Sequence, residues 1–101
     1  MAKYIVVLKN EKIDLAPNLL RGHVEHLRGL RQKGILFLCG PIKDYKGGGG
    51  FLILETKSRE EAERYVLQDP FVIYKHYENY VIYELIEANE SNHYLMGIDE
   101  V

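Results

Sequence analysis

The stretch HVEHLRGLRQKGILFLCGP, residues 23–41, decides how the chain is read. Its first half continues a run in which Leu20, Val24, Leu27 and Leu30 recur at helical spacing, with Arg21, Glu25, Arg28, Arg31 and Gln32 on the wet side. Lys33-Gly34 supplies a basic last turn and a glycine stop. Residues 35–39 (ILFLC) then read as a buried strand, and Gly40-Pro41 ends it, because proline has no N–H to give a ladder. One polar residue is set into the apolar stripe of the helix: His23. His26 lies off the stripe, toward its margin.

Outward from this stretch, residues 3–9 (KYIVVLK) form a first strand, apolar on both faces. Residues 10–17 are a polar connector, with Pro17 suited to the first turn of a helix that starts near Asn18. Residues 42–50 make a loop closing in four glycines, and residues 51–56 (FLILET) a third strand. Ser58, with Glu61 at capping-box spacing, opens a second helix through Ala62, Tyr65 and Val66. Asp69-Pro70 terminates it, since the residue before proline is pushed out of the α region. Residues 71–78 read as a turn region and residues 79–87 (NYVIYELIE) as the last strand. One domain thus spans residues 1–87, and 88–101 are a mostly polar tail. The tail carries a small apolar knot, Tyr94-Leu95-Met96, that is either loose or packed on a partner subunit.

The order β-α-β-β-α-β predicts an α+β, ferredoxin-like fold: a four-stranded antiparallel sheet with two helices on one face. Two helices leave the other face open. Yet Ile5 and Val7 against Val6 and Leu8, and Ile35 and Phe37 against Leu36 and Leu38, are apolar on both faces. Soluble monomers avoid so large an exposed patch. Covering several hundred Å² at about 25 cal/mol per Å² contributes roughly 10 kcal/mol before association costs. The expectation is a homodimer packed through the open sheet face, a dimeric α+β barrel.

Composition is that of an ordinary globular domain: 101 residues, 47% hydrophobic and 28% charged, with 8 Tyr and no Trp. A net charge of -2, with Lys and Arg spread along the chain, gives no case for nucleic acid or a membrane surface as partner. The N-terminal apolar run is too short for a signal peptide, and no segment approaches transmembrane length. The single cysteine, Cys39, rules out an internal disulfide framework. A cytoplasmic protein is the expectation.

In this topology the start of the first helix, the end of the second strand and the end of the second helix meet at one rim of the sheet. His23 and Asp69 can therefore approach, with Phe71 and the Asp44 loop nearby. His23 lies near a helix N-terminus and Asp69 at a helix C-terminus, the ends at which the macrodipole disfavours each charge. A carboxylate accepting from an imidazole N–H compensates both and leaves the other ring nitrogen free as a general base or acid. The alternative is a core histidine tied down by an aspartate that caps a turn. Cys39 at the same rim is either a thiol nucleophile beside His23 or a small buried apolar residue. His23 and His26 stand one turn apart, but no carboxylate or thiol set completes a zinc site, and no metal is expected. Gly47–Gly50 is not a phosphate cradle, because no Lys-Ser/Thr and no helix follows it; a flexible hairpin loop, placed to cover the rim as a lid, is the expectation. Tyr74, Tyr77, Tyr80 and Tyr83 read as sheet and interface residues, with one hydroxyl able to reach the pocket.

Arg21–His23, Gly34, Gly40-Pro41, the SREEAERYVLQDPF helix ending in Asp69-Pro70-Phe71, and the Tyr-rich closing strand resemble the YciI (YCII-related) family over about residues 3–87. The spacing matches if His23, not His26, is the family histidine. Members resemble dimeric α+β barrel proteins such as muconolactone isomerase, and one type is similar to a dehalogenating lyase acting on a chlorinated muconolactone-like ring. The resemblance implies a His–Asp pair made by His23 and Asp69, with Gly40, Pro41 and Phe71 shaping a substrate pocket. The family's arginine usually stands three positions before the histidine. Here that place is Leu20, and Arg21 is the nearest candidate for binding substrate. Three functions follow as expectations. The first is a cofactor-independent isomerase, lyase or dehalogenase moving a proton on a small organic acid or lactone. The others are a non-catalytic dimeric module that binds a small ligand, and, by fold analogy, a cofactorless monooxygenase.

Overall fold

A computed structural model describes residues 1–97; the last four residues of the tail lie outside the described residues. Its elements are β1 (Ala2–Glu11), α1 (Pro17–Gln32), β2 (Leu36–Pro41), β3 (Gly49–Thr56), α2 (Arg59–Leu67), a short α3 (Pro70–Ile73) and β4 (Tyr77–Leu85), followed by irregular 3-10 turns over Glu90–Leu95. The sheet is antiparallel in the order β2-β3-β1-β4. This is the expected ferredoxin-like arrangement, with the first strand between the third and the fourth.

The helix ends follow from local chemistry. Pro17 occupies the first turn of α1. At the other end Gly34, at φ 77, closes a Schellman motif: its N–H donates to the Arg31 carbonyl and that of Ile35 to the Leu30 carbonyl. The Ser58 hydroxyl accepts the Glu61 N–H at 3.1 Å. The Glu61 carboxylate reaches one residue further back than a capping box requires, accepting from the Lys57 N–H at 2.9 Å.

Tyr4, Val6 and Leu8 of β1, Leu52 and Leu54 of β3 and Ile82 of β4 face the helices and are buried against Leu30, Ala62, Val66 and Phe71. Alternation sends Ile5, Val7, Phe51 and Ile53 to the side without helices. Strand β2 departs from the expected alternation. A register shift between Leu36 and Leu38 leaves Leu36 opposite Leu54 on the helix side, but sets Leu38 opposite Ile53 on the open face. Phe37 also lies on the open face, with the Lys3 ammonium 5.4 Å from its ring centre. Cys39, opposite Leu52, therefore turns toward the helices.

Several boundaries also move. Strand β1 runs on to Glu11, paired with Tyr77, where a connector was expected. Pro41 belongs to β2, opposite Gly50 at its end. Gly49 and Gly50 begin β3 and are buried, so half of the glycine run is sheet and not lid. The expected turn region after Asp69 contains α3.

Candidate active site

Asp69 stands at the C-terminal end of α2 as the sequence suggested, its N–H donating to the Val66 carbonyl at 3.1 Å, but its side chain serves a second helix. It caps the N-terminus of α3, its Oδ1 accepting the Phe71 N–H at 2.9 Å. His23 is in the second turn of α1 and not at its first N–H groups. The α3 N-terminus favours the Asp69 charge and His23 lies beyond the first turn of α1, so helix dipoles do not set the pairing, yet the two side chains meet. The His23 Nδ1 lies 2.8 Å from one Asp69 carboxylate oxygen and 3.0 Å from the other. The Asp69 side chain is 3% exposed and the His23 side chain 15%. A carboxylate only accepts, so the proton of the neutral ring is on Nδ1 and Nε2 carries a bare lone pair. Among the described residues no protein group bonds to that nitrogen.

The ring is fixed on its flat side as well. Phe71 stacks on His23 with centroids 3.7 Å apart and planes 7° from parallel. One backbone segment therefore supplies both the carboxylate and the stacking face. Gly22 lets α1 come close enough: a Cβ there would stand 3.2 Å from the Pro70 ring.

Next to this pair is a cavity of about 330 Å³, walled by Leu20, Val24 and Leu27 of α1, Leu8 and Leu52 of the sheet, and Phe71. The helical stripe read as core packing is thus in part a cavity wall. Leu20 is 43% exposed. Among the described residues the polar groups on the lining are His23, Glu11, Tyr77 and the Cys39 thiol, with no Lys or Arg.

The structure gathers His23, Gly40, Pro41 and Phe71 around this cavity, with Asp69 behind His23. It does not bring Arg21 there. Two residues along a helix is about 200° around its axis, so Arg21 points to solvent when His23 points inward. Its guanidinium meets Asn18 at 3.5 Å. Asp44, in the β2–β3 loop, is absent from the lining. Cys39 is an exposed free thiol on the lining, contrary to the reading of a buried apolar residue, because the irregularity in β2 turns it to the helix side where the cavity, and not packed core, lies.

Sequence reasoning missed a second histidine–carboxylate pair. His76 is 1% exposed in its side chain, and its Nε2 lies 3.0 Å from a Glu11 carboxylate oxygen. Its ring is tilted against Phe71 at 4.5 Å, so Phe71 is held between two histidines. Tyr77 follows, its hydroxyl against Gly50, where a Cβ would approach to 3.1 Å. Burial first, then the Glu11 and Asp69 charges, push the Tyr77 phenol up to about 12, so it enters the cavity as an O–H. His26 is half-buried near Tyr65. Burial holds its imidazole below the ordinary 6.5, against the opposing pull of Asp69. Among the described residues, no three His, Cys, Asp or Glu side chains come together as metal ligands.

Fold and cavity together define a small ferredoxin-like α+β domain with a histidine poised on a buried carboxylate. The chain belongs to the YCII-related domain family, which matches residues 2–86. No curated protein matches it. Among solved structures it is similar to 5-chloro-2-hydroxyhydroquinone dehydrochlorinase from Burkholderia phenoliruptrix, determined in complex with 2,5-dihydroxybenzoquinone. The two share 20% identity, over 88% of this chain and 97% of that one, with a TM-score of 0.63. At that identity the likeness establishes the fold. Among the described residues no helix is long and apolar enough to cross a membrane.

Proposed function

We propose that this protein is a small enzyme in which His23, oriented by Asp69, moves a proton on a small cyclic organic molecule. The chemistry is that of an isomerase, a lyase or a dehalogenase. The observation that carries the reading is the orientation of His23: Nδ1 engaged by a buried carboxylate, and Nε2 unpartnered on a ring that lines the cavity. A proton taken by Nε2 creates an imidazolium whose charge faces Asp69, so the proton-bearing ring is stabilised where it forms. The electron pair left on the ligand then expels a leaving group, or takes a proton back at another atom. The dehydrochlorinase of like fold supports the choice of reaction class.

Two corollaries belong to the same reading. The apolar open face, where Phe37, Leu38 and Tyr83 are 51%, 43% and 55% exposed, favours a homodimer formed sheet to sheet. A lone unpaired thiol fits a reducing cytoplasm.

The test is a panel of chlorinated hydroxyhydroquinones and muconolactones, followed by halide release and ultraviolet absorbance. The wild-type protein turns over at least one compound, and His23→Gln loses about 10²- to 10⁴-fold in kcat while it still folds. Equal turnover by the two proteins would exclude His23 as the proton carrier. Binding without turnover of any compound would favour a ligand-binding module.

A further inference from the structure

We propose that Glu11, positioned by His76, is the group that receives a ligand hydroxyl, and that the cavity consequently takes neutral hydroxylated rings in preference to carboxylates. This rests on the reading that the cavity beside His23 is the ligand site. It adds what that site selects.

Glu11 is the last residue of β1, at the mouth of the cavity, and its carboxylate is on the lining. Two neighbours approach it. His76 Nε2 stands 3.0 Å from one carboxylate oxygen, and the histidine is buried, with little freedom to move. Against the opposite flank lies the backbone of Gly48, at φ 76; a Cβ there would come within 2.8 Å of the Glu11 Cβ and 3.1 Å of its other carboxylate oxygen. The hydrogen bond to a buried histidine and the nearby Gly48 narrow the rotamers open to this glutamate.

The tautomer follows from burial. His76 Nδ1 is buried with no partner among the described residues, so the arrangement that leaves a bare lone pair there, and donates Nε2–H to Glu11, is the less costly one. One bond from His76 leaves most of the carboxylate's acceptor capacity unused, and 37% of the Glu11 side chain remains exposed. An acceptor oriented by His76 on a largely apolar wall matches a hydroxyl donor on the ligand.

Charge decides the other half. Among the described residues the lining carries Glu11 and no Lys or Arg, and Asp69 lies just behind His23. A ligand carboxylate would be desolvated beside like charges without a cation to meet it. A ring hydroxyl would donate to Glu11 while the ring face packs on Leu, Val and Phe side chains.

Benzene-1,4-diol and 4-hydroxybenzoate are near-isosteric probes that differ in charge at pH 7. By calorimetry, the wild-type protein binds the diol about ten- to a hundredfold more tightly, the range of one hydrogen bond to a charged group. Glu11→Gln keeps the shape and brings the ratio to within about twofold of unity. Glu11→Asp keeps the charge and the sign of the preference, which separates charge from mere packing; thermal unfolding checks that both variants fold. A ratio unchanged in Glu11→Gln, or a wild-type preference for the benzoate, overturns the role of Glu11 and leaves proton transfer at His23 standing. Failure of the wild type to bind either probe overturns the proposal and, with it, the cavity as ligand site.

Discussion

Asp69 serves two donors at once, the Phe71 N–H that starts α3 and the imidazole of His23. Removing it therefore has a stability cost separate from any loss of activity. Asp69→Ala leaves a buried N–H and a part-buried ring nitrogen unpaired, and should cost about 2–4 kcal/mol in urea unfolding. Asp69→Asn keeps one accepting oxygen and should cost about 1 kcal/mol. Equal, small losses in both would mean that the carboxylate holds nothing in place. This pair was legible in the sequence because each partner announces itself locally: a histidine on an apolar helical stripe, and an aspartate before a proline at a helix stop. Glu11 and His76 were not. They are 65 residues apart, in polar stretches with no period. What brings them together is the pairing of β1 with β4, which sets Glu11 opposite Tyr77. Strand order, not residue spacing, was the missing information.

At the scale of elements, the site depends on how closely α1 approaches α3. Gly22 stands one residue before His23, and Pro70 one after Asp69, so the contact between them sets the spacing of the pair. Gly22→Leu forces the two segments apart. It should cost about 1–3 kcal/mol as an overpacked contact and reduce turnover further by drawing Asp69 off His23. A variant with unchanged stability and activity would show that the contact is slack. The helices, the third strand and the glycine stop were readable because caps and periods are local. The short α3 was not, because a four-residue helix has no period of its own and depends on Asp69 and Pro70 to start it. The irregularity in β2 was hidden for a different reason. In a strand apolar on both faces, a one-residue shift leaves the pattern looking the same. It moves Leu38 to the open face and Cys39 to the cavity.

At the scale of the whole molecule, the sheet has one face filled by helices and the other lined by apolar side chains. Lys3 bridges Glu55 and Glu87 at 3.6 and 2.9 Å along one edge of that open face and gives it a polar border. Placing a charge on its apolar surface should separate subunits without touching the cavity core. Leu38→Glu is expected to sediment as a monomer where the wild type sediments as a dimer; a monomeric wild type, or a dimeric variant, would contradict sheet-to-sheet association. The most direct measurement of the account as a whole is nitrogen-15 NMR of the His23 ring at a pH where the ring is neutral, with and without benzene-1,4-diol. The prediction is a proton on Nδ1, a bare Nε2, and a shift of the Nε2 resonance when the ligand is added. A proton found on Nε2, or a ring that does not respond to a bound ligand, would contradict the placement of His23 as the base of the site.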